Sequence, residues 1–285
     1  MVYSINRFAD HRKGCIIIMK NLGKSLLCLI IYFILQLVIQ MIFMMIGALS
    51  GIRDQNGLID FSMNHLLLIT LVSNVVTLAL FALFNKIRKK SIKEAWSMTR
   101  VGVKLYIYPA LAAFLLSFAW ALATYDVSFA NAEQIEKSVS FYSDMLPGLG
   151  GIVMAFTLLF AQPVMEEVLC RGIMLNQLKE SFPDWAAILM SAVFFGLAHL
   201  MTGGVVLAFG AALMGACFGL VFVKTKSLYP AVVAHAFANL PDFVMTFMPE
   251  MQSGVRIGLA VVSAVVSVVI LVHFNKKLRF GGNDE

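Results

Sequence analysis

Residues 166–171 read Glu-Glu-Val-Leu-Cys-Arg inside a chain whose composition leaves little room for charge. Of its 285 residues, 60% are hydrophobic and 13% charged, with a mean hydropathy of +0.85. An ionisable side chain in hydrocarbon costs about 3 kcal/mol or more and marks a functional site by default. If the run is helical, Glu167 and Arg171 stand four apart on one face and pair, with the glutamate on the favourable N-terminal side. Glu166 projects about 100° away and is not claimed by that pair. A carboxylate with few partners in a low-dielectric site suits general-base chemistry near neutral pH. His199 ends the run Phe195-Gly-Leu-Ala-His199, and His235 and Asn239 project from one face of a further apolar segment. Each feature alone has a plainer reading, as a packing ion pair or as interhelical hydrogen bonding. The six together, at compatible depths, point to a catalytic or transport site.

These residues need apolar elements to carry them. Stretches of about 20 residues predict an all-α, polytopic transmembrane helical bundle of about eight spans, with the site inside the bundle. The expected spans are 25–49, 64–86, 105–124, 149–179, 185–201, 204–223, 229–248 and 255–274. Residues 1–24 read as a basic cytoplasmic leader, residues 25–124 as the N-terminal spans and residues 125–285 as the C-terminal spans. Met19 begins a stretch that looks like a natural start, which makes residues 1–18 dispensable on this reading. Arg7, Arg12, Lys13, Lys20 and Lys24 precede the first span. Lys86, Arg88, Lys89, Lys90, Lys93, Arg100 and Lys104 separate the second from the third. Lys224 and Lys226 follow the sixth span, and Lys276, Lys277 and Arg279 follow the eighth. The segment between spans three and four instead carries Asp126, Glu133, Glu136 and Asp144. The positive-inside rule then sets both termini in the cytoplasm of an integral protein of the plasma membrane. The first apolar run is too long for a cleaved signal. The formal net charge of +6 has this topological origin, and no basic-aromatic surface supports nucleic-acid binding. Cys15, Cys28, Cys170 and Cys217 show no disulfide or zinc-ribbon spacing; Cys15 precedes the first span, where acylation is conceivable, but an inert thiol is the simpler reading.

Two spans position the candidate groups. Span four would be a helix of about 47 Å, longer than the hydrocarbon core, and Pro163 inside it should kink it or free a carbonyl near the site. Across the expected turn near residues 180–184, Glu166 and His199 both stand about 20 Å away, hence at one level on antiparallel neighbours. Gly210, Gly215 and Gly219 on span six read as a close-packing stripe. His11, His65 and His273 lie near span ends and read as interfacial. The chain lacks His-Glu-x-x-His and Gly-x-Ser-x-Gly, and no aspartyl dyad is supported.

Three motifs then stand in order: Glu166-Glu167-x-x-x-Arg171, Phe195-x-x-x-His199 and His235-x-x-x-Asn239. Over about residues 145–250 the chain resembles the CAAX protease and bacteriocin-processing family, also called the Abi or type II CAAX prenyl endopeptidase-like family. The resemblance implies an intramembrane endopeptidase with an eight-helix core. It implies catalytic roles for Glu166, His199, His235 and Asn239: water activation by Glu166 assisted by His199, and oxyanion binding by His235 and Asn239. Glu167 and Arg171 would be the supporting pair. The resemblance to glutamate-dependent members implies no cofactor, with Zn2+ on Glu166, His199 and His235 as the alternative. The implied partners are the lipid bilayer and a membrane-associated peptide or protein. CAAX-like proteins, bacteriocin or pheromone precursors and a self-immunity role are equally open. A non-catalytic transporter or immunity scaffold is the rival; a transporter would carry paired broken helices in both halves, and only Pro163 interrupts a span.

Overall fold

The computed structural model describes the backbone of residues 2–128, 148–246, 248 and 251–280, and the side chains of residues 18–126, 148, 150–200, 204–241, 243–245, 248 and 251–276. The side chains of Arg7, His11, Arg12, Lys13, Cys15, Lys277 and Arg279, and the residues Glu133, Glu136 and Asp144, lie outside that set. All described elements are helical. They are α1 (Val2–Leu49), α2 (Gln55–Asn64), α3 (Leu66–Ile87), α4 (Ile92–Ala95), α5 (Lys104–Ala123) and α6 (Tyr125–Ser128). A rod follows without a break: α7 (Leu149–Phe156), a π-helical stretch Thr157–Ala161, α8 (Gln162–Glu167), a second π stretch Val168–Leu175 and α9 (Asn176–Lys179). Then come α10 (Asp184–Thr225), α11 (Leu228–Ala238), α12 (Leu240–Thr246) and α13 (Ser253–Phe280).

Six described helices are long and apolar enough to cross a bilayer: Ile18–Leu49, Leu66–Ile87, Lys104–Ala123, Gly150–Lys179, Gly204–Thr225 and Ser253–Lys276. Apolar side chains such as Leu37, Met41, Val265 and Val269 point outward from α1 and α13, as an integral membrane protein requires of its lipid-facing surface. Six of the roughly eight expected spans are full-length described helices, and the other two fall on shorter ones. The expected span 185–201 is the shorter apolar helix Asp184–Leu200. The expected span 229–248 is broken at Asn239, whose N–H caps α11 on the His235 carbonyl at 3.1 Å. Pro241 enters at the start of α12, where a missing N–H does no harm. Ahead of the expected first span, Asn21 is already buried in α1, donating to Glu180 and to Ser181 at 3.2 and 2.9 Å.

α10 is a hairpin. A straight helix would set Gly196 and Ala208 about 18 Å apart, yet a Cβ on Gly196 would lie 2.6 Å from the Ala208 carbonyl oxygen. Farther along the same seam, Gly215 faces Ala192 and Phe195, and Gly219 faces Ile188. The chain reverses at Gly204, whose φ of +68° only glycine adopts without strain. The arms 184–200 and 204–225 are therefore antiparallel neighbours; Gly215 and Gly219 of the glycine stripe line the seam between them, while Gly210 packs against Trp120 of α5.

Basic clusters share one end of the bundle. Thr99 donates to the Lys226 carbonyl at 3.0 Å, Ser227 to the Thr99 carbonyl at 2.5 Å and Asn176 to Ser97 at 3.2 Å. The C-terminal half of α13 returns to that end along α5, with Ser267 donating to the Ala112 carbonyl at 2.7 Å. Arg256 and Asp126 pair at the opposite end.

Candidate active site

The rod, both arms of the α10 hairpin and α11 converge on Glu166 and Glu167. Their side chains are held in α8, a single α-helical turn and a half between two π stretches. π stretches insert an extra residue per turn and recur at functional sites. Here the register has a visible consequence. The Gln162 N–H goes to the Thr157 carbonyl, five residues back. In that register the Leu158 carbonyl should receive the N–H of residue 163, which is Pro163 and has none. Asn239 supplies the donor, its Nδ2 lying 2.8 Å from the Leu158 oxygen. The proline thus frees a carbonyl beside the site, as its position predicts, and the asparagine of the third motif takes it.

Glu167 and Arg171 are both fully buried, and Arg171 Nη1 lies 2.7 Å from Glu167 Oε1. The other guanidinium nitrogen, Nη2, donates to the Gly215 carbonyl at 2.7 Å. Phe195 and Phe218 stand at 4.9 and 5.3 Å from the guanidinium carbon, so the cation sits on two aromatic faces. Glu167 Oε1 also accepts from His235 Nδ1 at 2.9 Å. Because a carboxylate only accepts, this contact fixes the proton on Nδ1 and the direction of the ring. Phe218 stacks on the His235 ring at 4.6 Å and Phe195 meets its edge at 5.6 Å.

His235 then presents Nε2 to Glu166 Oε2 at 3.5 Å. His199 does likewise from the first arm of α10, its Nε2 4.0 Å from the same oxygen. The His199 Nδ1 bonds to the Phe195 carbonyl at 2.8 Å, which explains a phenylalanine four residues before the histidine: its carbonyl sets the tautomer, and its ring walls the site at 4.6 Å. Glu166 and His199 meet at one depth, on antiparallel neighbours.

Glu166, Glu167, Arg171, His199 and His235 are therefore one cluster, with Asn239 attached to it through the Leu158 carbonyl. Among the described residues, no group of three or more His, Cys, Asp or Glu side chains converges as a metal site, Glu166, His199 and His235 included. His65 and His273 lie elsewhere, against Phe61 and Tyr108. Sequence reasoning missed four neighbours. Gln162 donates through Nε2 to Glu166 Oε1, and Asn74 of α3 donates to Gln162 Oε1 at 2.7 Å. Tyr32 of α1 stands near Gln162 and Glu166, and Phe218 covers His235 and Arg171. The signal for Asn74 and Gln162 was present: each is an amide in an apolar span, where an unbonded polar group is costly.

A family model described as Rce1-like, type II CAAX prenyl endopeptidase, matches residues 148–241, the stretch that carries all three motifs. No curated protein and no solved structure matches the chain. The likeness to Rce1-like, type II CAAX prenyl endopeptidases therefore covers residues 148–241, about a third of the chain and the part that builds this site.

Proposed function

We propose that the chain hydrolyses peptide bonds of a membrane-associated peptide or protein by a metal-free, glutamate-based mechanism, in the plasma membrane with its basic end and both termini cytoplasmic. One observation carries the reading: two histidine Nε2 atoms on different helices approach a single oxygen of Glu166, at 3.5 and 4.0 Å. The 4.0 Å separation lets Glu166 Oε2 and His199 Nε2 reach one water molecule between them, and such contacts tighten when substrate is present. Glu166 takes a proton from that water and the hydroxide attacks the scissile carbonyl carbon. His235, held by Glu167 at Nδ1, turns Nε2 toward the developing oxyanion and donates to it there as the imidazolium, protonated on both nitrogens. Asn239 Nδ2 carries two hydrogens, and the one not held by Leu158 is the second donor. Each donor contributes about 3–4 kcal/mol when it meets charge that forms only in the transition state. Glu166 returns the proton to the leaving nitrogen as the C–N bond breaks.

Purified protein in detergent, incubated with membrane peptides, tests this directly. Glu166→Ala and His199→Ala should abolish cleavage, and dialysis against a strong chelator should leave it intact. Full activity of either variant contradicts the assignment, and chelator loss restored by zinc replaces it with the metal version.

A further inference from the structure

The two oxygens of Glu166 have different surroundings. Oε2 faces the histidines, and Oε1 ends a chain of amides. Gln162 Nε2 donates to Oε1, and Asn74 Nδ2 donates to Gln162 Oε1 at 2.7 Å. A side-chain amide has one accepting end and one donating end. Because Asn74 engages the accepting end of Gln162 with an N–H, the NH2 end is turned toward Glu166. The flipped amide would set donor against donor at Asn74 and carbonyl against carboxylate at Glu166. Asn74 is 1% and Glu166 8% exposed, so no bulk water compensates for such a flip.

We infer that Asn74 and Gln162 are positioning residues that hold Glu166 as an acceptor at Oε1 and confine its proton exchange to Oε2. This deepens the proposed reading and rests on it in taking Glu166 as the base. The consequence is directional. An oxygen fixed on an oriented donor is a poor site for a proton, so the proton taken from water arrives on the oxygen that His199 and His235 approach. The device joins α3 to the rod, which explains why an N-terminal span outside residues 148–241 carries a buried asparagine. The other groups around the carboxylate do a different job. Tyr32 comes from α1 and Cys170 from the rod itself, while Glu167 is committed to Arg171 and His235.

The experiment compares wild type with Gln162→Met, Asn74→Leu and the double variant, purified in detergent. Each single change should lower kcat about ten- to a hundredfold at unchanged KM, because the base is present but misdirected. The double variant should lose no more than Gln162→Met alone, since Asn74 acts only through Gln162. A second readout needs no turnover: a hydrophobic carbodiimide adds to protonated carboxyls, and mass spectrometry of the peptide containing residue 166 counts the adduct. Labelling of Glu166 at neutral pH should be several-fold faster in both single variants than in wild type, with the buried Glu167 unlabelled as the check on folding. Additive losses, a KM change at constant kcat, or unchanged labelling of Glu166 overturns the inference. If wild type cleaves nothing while labelling follows this order, the proteolytic reading falls and the amide chain stands. If cleavage depends on Glu166 but labelling does not respond, the reverse holds.

Discussion

Arg171 heads the fully buried side chains of the described residues by volume, and its charge is what makes two adjacent glutamates tolerable. It neutralises Glu167, lies on two phenylalanine rings and leaves Glu166 without a cation of its own on the rod. Removing one partner of a buried pair strands the other, at about 3–5 kcal/mol. Arg171→Met should therefore lower the unfolding midpoint in detergent substantially and abolish activity. Adding Glu167→Gln to Arg171→Met should recover most of the stability but not the activity. An Arg171→Met protein as stable as wild type would show that the pair is not the buried unit described. The division of labour between Glu166 and Glu167 was legible from helical spacing alone, because a separation of four survives the change of register. The partners of Glu166 on other helices were not. Spacing within one segment says nothing about which distant amide it will meet, and Asn74 gains its role only through the packing of α3 beside α8.

At the scale of elements, the rod is the part whose form departs most from an ordinary helix. Its π register and Pro163 together free the Leu158 carbonyl, and Asn239 satisfies it from the end of α11. A buried carbonyl stripped of its donor costs about 1–3 kcal/mol. Asn239→Ala should destabilise the protein by that amount, measured by thermal unfolding. In a Pro163→Ala background, where the backbone N–H is restored, the same substitution should cost markedly less. Equal costs in both backgrounds would remove the proposed link between proline and asparagine. Hydropathy located the apolar segments but not which of them are shorter or broken, for physical reasons. A window of about 20 residues joins α11 to α12 across the break at Asn239, because both halves are equally apolar. It also sets the first boundary at a charge, Lys24, although Asn21 packs beyond it. The α10 reversal falls between the expected spans 185–201 and 204–223, at Gly204 with its positive φ.

For the whole molecule, the bundle has one basic end, where the loops around Thr99, Ser181 and Ser227 meet, and an opposite end closed by the Arg256–Asp126 pair. The site lies between them, built from four consecutive segments, the rod, the two arms of α10 and α11, with Asn74 reaching in from α3. Charge asymmetry made the shared basic end readable from sequence, whereas the packing of α13 along α5 rests on small-residue contacts such as Ser267 with Ala112, which carry no long-range signal. On the proposed function, Glu166 is the base that hydrolyses a peptide bond within the membrane. The most direct measurement compares membrane peptidomes of cells expressing wild type and Glu166→Gln at matched levels. The account predicts at least one membrane-derived cleavage product that is present with wild type, absent with Glu166→Gln and accompanied there by its uncleaved precursor. Identical peptidomes from two strains containing equally abundant, folded protein would contradict it.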